Sequence, residues 1–144
     1  MCELNNHPLI IAYKEANRFG RSMGMEFSIL EPGKVIYELT VTHEHLATPY
    51  AGHGGVIAAF SDALLGVGAL SAVCSDHKVV ATLDLKISFL EPIFPGDTLK
   101  GISVSLKTGN RILFMEGEIR NQNDVLIARC SGTFNAYPAE RAGY

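Results

Sequence analysis

One stretch limits what this chain can become. His53-Gly54-Gly55 opens a segment that stays apolar or small as far as Val73 and carries a single charge, Asp62, near its middle. An ionised carboxylate set among apolar residues is expensive to bury alone, so its position calls for a reason. The spacing predicts a helix. Val56, Phe60, Leu64 and Val67 recur at helical intervals as a stripe of mostly large apolar side chains. Gly55, Ala58, Ala59, Asp62, Gly66 and Ala69 form a second stripe of small residues, with room for a ligand or another helix.

The start of that helix has its own chemistry. The first backbone N–H groups of a helix lack internal partners. Glycines there let another molecule approach closely. The partial positive charge suits an anion, or a carbonyl oxygen gaining charge. Gly54 and Asp62 are eight residues apart, about 12 Å along a helix axis. One carbonyl cannot touch both. If both serve one reaction, the second group must come from another copy of the chain, which predicts a homodimer with two composite sites.

Could this segment cross a membrane? It is nearly long enough. Asp62 at its centre would cost roughly 2.5–3.5 kcal/mol, and the flanking segments read as strands of a soluble sheet, so no membrane association is expected. A net charge of -3 without a basic run gives nucleic-acid binding no electrostatic support. Cys2, Cys74 and Cys130 are odd in number and widely spaced. They read as reduced thiols of a cytoplasmic protein, not as a disulfide frame or a zinc site. Met1–His7 lacks the basic-then-apolar pattern of a signal peptide.

The remainder reads as one domain spanning 1–144. A short amphipathic helix is expected over about 8–19, stopped by Gly20. Gly20-Arg21-Ser22-Met23-Gly24 matches G-x-S-x-G, but a nucleophile elbow needs a strand before the serine and a helix after it, and here the order is reversed. Glu26–Leu30 and Val35–Val41 read as strands joined at Pro32-Gly33. His43 and His45 would share a face if extended, yet no third ligand is near, so no metal is expected. Ala81, Leu83, Leu85, Ile87 and Phe89 alternate with polar residues as a strand with one buried face. Thr98–Lys107, Arg111–Arg120 and Val125–Tyr137 follow with short turns, which predicts a meander of antiparallel strands. The sum is an α+β layer: a curved antiparallel sheet of about six strands wrapped around one central helix.

His53–Gly66 (HGGVIAAFSDALLG), joined to Leu83–Leu99 (LDLKISFLEPIFPGDTL), resembles the PaaI-like acyl-CoA thioesterases of the hotdog fold, over about Gly24 to Tyr137. The resemblance implies hydrolysis of acyl-CoA without a cofactor, by a homodimer or a dimer of dimers. It implies that Gly54 donates its N–H to the thioester oxygen. Asp62 of the neighbouring subunit would then act as general base on water, or as nucleophile. It implies that His53 helps place the substrate and that Thr82, where relatives often carry Ser, orients the water. Gly55, Ser61 and Phe60 are the expected substrate-binding positions. Lys86, Lys100, Lys107, Arg111 and Arg129 are candidate cations for the coenzyme phosphates. Ala47 stands where several relatives carry Asn, which keeps open an alternative, a non-catalytic acyl-CoA or fatty-acyl binding protein. A hydratase would need a second acid–His pair, and none is visible.

Overall fold

The computed structural model describes residues 2–144. Its elements run α1 (Pro8–Ala16), α2 (Arg18–Ser22), β1 (Glu26–Glu31), β2 (Lys34–Thr40), α3 (Gly54–Val73), β3 (Lys78–Phe89), β4 (Thr98–Thr108), β5 (Ile112–Arg120) and β6 (Leu126–Pro138). All six strands pair antiparallel in one sheet, in the order β1-β2-β4-β5-β6-β3. The sheet wraps α3 as the hotdog fold does. Although α3 is long and apolar enough to cross a membrane, Val56, Phe60, Leu64 and Val67 are all buried against the sheet.

Close seating explains the glycines beneath the helix. A Cβ on Gly101 would come within 2.7 Å of Phe60 Cε1 and 2.8 Å of Leu64 Cδ2. One on Gly117 would meet Leu64 and Leu65 at 3.1 and 3.2 Å. Leu64 and Leu65, both without exposure, thus fill hollows in a floor stripped of side chains, which is how dense interiors interdigitate. Ser103 on that floor donates its hydroxyl to the Leu64 carbonyl at 3.1 Å.

Three sequence expectations need correction. The N-terminal helix does not run unbroken over 8–19. Asn17 leaves helical geometry (ψ 70°), and its Oδ1 accepts the Gly20 N–H at 3.0 Å, so it ends α1 and caps α2. Gly20 therefore lies inside α2; the chain turns into β1 at Gly24, whose φ of +76° suits only glycine well. The last four strands are not one meander either, because β3 crosses to the far edge and pairs with β6. As an edge strand it leaves most of its side chains exposed, so the expected buried face is largely uncovered in the single chain.

The two sheet edges differ. Along β1, Asn5 acts as a surrogate strand, donating to the Ile29 carbonyl and accepting the Ile29 N–H, both at 2.8 Å. β3 has no such cover among the described residues. A ladder of rings ties the N-terminal helix to the core: Tyr13–Phe27 at 6.1 Å, Phe27–Tyr37 at 5.3 Å and Tyr37–Phe60 at 5.7 Å between centroids.

The glycine floor yields a stability test. Gly101→Ala should cost about 1–3 kcal/mol by overpacking, and Leu64→Ala about 2–5 kcal/mol by leaving a cavity. The double variant should lose less than the sum, because each change relieves the other. Denaturant unfolding of the four proteins measures that coupling.

Candidate active site

His53 is the N-cap of α3 and does a specific job there. Its backbone is extended, and its Nδ1 accepts the Gly55 N–H at 2.7 Å. Its carbonyl takes the Val56 N–H at 3.0 Å. That leaves Gly54. Its N–H has no partner among the described residues, and it is exposed at the helix mouth. Of the two glycine amides expected to meet substrate, Gly55's is already used, and His53 is the reason. The position is held from behind: the Gly52 N–H donates to the Ile93 carbonyl at 2.8 Å, and the His53 N–H to the His45 carbonyl at 2.7 Å. Gly52 lies so close to Ile93 that a Cβ would fall 2.4 Å from its Cγ1.

A pocket of about 300 Å³ opens at this mouth, lined by His53, Gly54, Phe89, Leu90, Glu91 and Pro92 among others. It is a donor site with an aromatic wall. A carbonyl oxygen entering it would meet one free N–H at the positive end of a 20-residue helix.

Asp62 lies in a different place. It is exposed, on the side of α3 turned toward β3, and its Oδ1 accepts the Thr82 hydroxyl at 2.7 Å. Its Oδ2 has no partner among the described residues and is free to hold a water. A second pocket, about 340 Å³, surrounds this pair, with Tyr13, Gly66, Leu70, Phe134 and Tyr144 in its walls. The two pockets share no lining residue. Within one chain the donor and the acid are therefore separate, as the helical rise requires.

Thr82 reaches Asp62 only through a bulge. In β3, Thr82 pairs with Phe134 and Asp84 with Thr133, so Leu83 is the extra residue. Leu85 and Ile87 follow the inward face, opposite Gly132 and Cys130. Unbroken alternation would put Thr82 on the outward face with Asp84. The inserted residue reverses the phase and turns Thr82 inward, a use of bulges seen beside functional sites.

Phe60 and Ser61, expected to bind substrate, are fully buried and line neither pocket. Phe60 packs edge-on to Tyr37. Ser61 Oγ lies without a hydrogen-bond partner, close to Cys130, whose thiol burial pushes up to about 11. The structure gives both residues core positions. Lys86 and Arg129 stand on the sheet face turned away from α3, by their pairing with Ser131 and Ser88. His43–His45 form a 3₁₀ turn, and His45 Nδ1 accepts the Thr42 N–H at 3.0 Å. Ser22 ends a helix, its hydroxyl donating to the Phe19 carbonyl, so the G-x-S-x-G match makes no elbow.

Tyr13 and Tyr144, which the sequence did not single out, also line the pocket around Asp62. Burial, above all, holds the Tyr13 hydroxyl above its ordinary pKa. The neighbouring Tyr37 hydroxyl pulls the other way, and Tyr144 and Asp62 are near enough to disfavour the phenolate further. Tyr13 therefore stays a neutral wall beside the carboxylate.

Comparison with known proteins gives the family and the fold. The medium/long-chain acyl-CoA thioesterase YigI of Escherichia coli K12 is 24% identical over 132 residues, covering 81% of this chain and 83% of that one. The Escherichia coli PaaI protein of the phenylacetic acid degradation operon superposes with a TM-score of 0.82 at 23% identity, over 89% of this chain and 90% of that one. A Streptococcus pneumoniae protein described as a hypothetical thioesterase, solved with coenzyme A, gives 0.78 at 20% identity, over 88% and 97%. The Thioesterase superfamily model matches residues 52–128, more than half the chain, and the chain belongs to that superfamily, with the PaaI-like hotdog fold.

Proposed function

We propose that the protein hydrolyses acyl-CoA thioesters at a site completed by two copies of the chain. The observation that carries this reading is the pairing of one unspent amide, Gly54, with one hydroxyl-supported carboxylate, Asp62, in pockets that share no residue. The thioester oxygen would take the Gly54 N–H. Asp62 of the other subunit would accept a proton from water through Oδ2, while Thr82 holds Oδ1. The hydroxide equivalent adds to the carbonyl carbon, and the resulting oxyanion is met by the amide at the helix end. Collapse breaks the C–S bond, and the proton passes to the departing thiolate of coenzyme A. No metal or cofactor enters the scheme.

The edge strand supports the dimer. β3 is 12 residues long, uncovered and rich in exposed apolar side chains such as Leu83 and Phe89. Such an edge is a template for another chain. Asn5 blocks the opposite edge. α3 contacts β3 as well as the central strands, so antiparallel pairing of two β3 strands about a twofold axis would bring two α3 helices side by side, each mouth toward the other's Asp62. The relative named a medium/long-chain acyl-CoA thioesterase and the neighbour solved with coenzyme A support the substrate class. Three unpaired thiols suit a reducing compartment, which we take to be the cytoplasm.

The amide can be removed without removing the helix. Gly54 is the first helical residue, where proline is tolerated because its missing N–H is one of the unpaired ones, and His53 before it is already extended. Gly54→Pro should therefore lower kcat by about 10²–10³ with an unchanged far-ultraviolet circular dichroism spectrum. Asp62→Asn should abolish turnover, measured as release of free thiol from acyl-CoA, while the protein stays folded. Full activity in Asp62→Asn would overturn the assignment. Refolding the two inactive variants together should restore about a quarter of wild-type activity, since half of random pairs are mixed and each has one intact site. No recovery would mean that each site lies within one chain.

A further inference from the structure

The recess beside Asp62 is lined in part by residues that follow β6. After β6, residues Ala139–Ala142 form a 3₁₀ turn. Gly143 then adopts φ +89°, its N–H donates to the Glu140 carbonyl at 3.1 Å, and the Tyr144 N–H donates to the Ala139 carbonyl at 3.2 Å. These are the two bonds of a Schellman turn, which reverses the chain at a helix end. The reversal brings Tyr144 back onto the body of the protein, where it packs against the hydrophobic core and lines the same recess as Asp62 and Thr82. Tyr13, on α1, lines it too. Two rings from remote parts of the sequence therefore wall a recess whose other sides are Ala63, Gly66, Leu70, Val79 and Phe134 among others.

We propose that Tyr144, held by the Gly143 turn, is a specificity-determining residue that limits the size of the acyl group. This rests on the thioesterase reading above. A thioester has a polar coenzyme half and an apolar acyl half. With its carbonyl carbon at Asp62, the acyl half is the part that gains by lying against the Leu70, Val79 and Phe134 side of the recess. The recess holds about 340 Å³. At a water's share of about 30 Å³, that is room for roughly eleven water-sized groups. An octanoyl or a benzoyl group fits, while a palmitoyl chain does not unless the ring of Tyr144 moves aside. Small residues on α3 keep the recess open: Gly66 presents no side chain, and a Cβ there would already touch Phe134 at 3.5 Å.

The test compares kcat/KM for octanoyl-, benzoyl- and palmitoyl-CoA in the full chain and three variants. Tyr144→Ala should raise the palmitoyl-to-octanoyl ratio at least tenfold, the scale on which apolar pockets discriminate chain length. Gly143→Ala should move the ratio in the same direction. An added Cβ there meets nothing within 4 Å, so its effect would come from loosening the turn alone. Tyr144→Phe, which keeps the ring, should return the ratio to that of the wild type. An unchanged ratio in both Tyr144→Ala and Gly143→Ala, with octanoyl turnover intact, would overturn the role of Tyr144 and leave the thioesterase reading standing. Absence of turnover of every acyl-CoA by the wild type would remove both.

Discussion

Everything in this molecule is arranged by how closely one apolar helix can approach a sheet. Gly101 and Gly117 remove the side chains that would hold α3 off, and Leu64 and Leu65 occupy the space. Burial on that scale is the main favourable term in folding, and it fixes the rotation of the helix about its own axis. That rotation decides the chemistry. With the large stripe turned into the sheet, Asp62, Ala63 and Gly66 are left on the open side, and the carboxylate stays in reach of water. The charge that looked costly in the sequence is therefore never buried in the single chain.

The helix also distributes its polar groups. A helix beginning with two glycines offers two conspicuous amides, but an N-cap side chain needs one of them. His53 spends its Nδ1 on Gly55 and so leaves Gly54 as the free donor. The imidazole thus acts through backbone geometry, defining which amide faces the pocket. Behind it, the contact of Gly52 with Ile93 joins the mouth to the segment that follows β3. The donor and the wall formed by Phe89 and Pro92 are parts of one braced loop cluster.

Much of this was readable before any coordinates, and the failures have physical causes. The stripe from Val56 to Val67 announced the core helix because periodicity reports burial directly. The eight-residue gap between Gly54 and Asp62 announced that the free amide and the carboxylate stand in separate pockets, because helical rise is fixed. Asn17 was misread because a residue that stops one helix by capping the next looks, in sequence, like any polar position of an amphipathic helix. The placement of β3 was misread because alternation gives a strand's faces and not its neighbours. Phe60 and Ser61, expected at the substrate, lie in the core, because neighbouring helical residues point about 100° apart and the open face of the helix is the one that carries Asp62. Tyr13 and Tyr144 carry no local signal; only folding brings residues 13 and 144 to one recess.

The bulge in β3 has a meaning that reaches beyond its geometry. The strand keeps two rhythms, one before Leu83 and one after, and the acid's supporting hydroxyl belongs to the earlier rhythm while the greasy lining belongs to the later. Straightened with every residue kept, the strand would have one rhythm only. The sheet could still close around its helix, but Thr82 would face outward and Asp62 would stand alone. In this architecture, one step of register along an edge strand decides whether the carboxylate has a hydroxyl beside it.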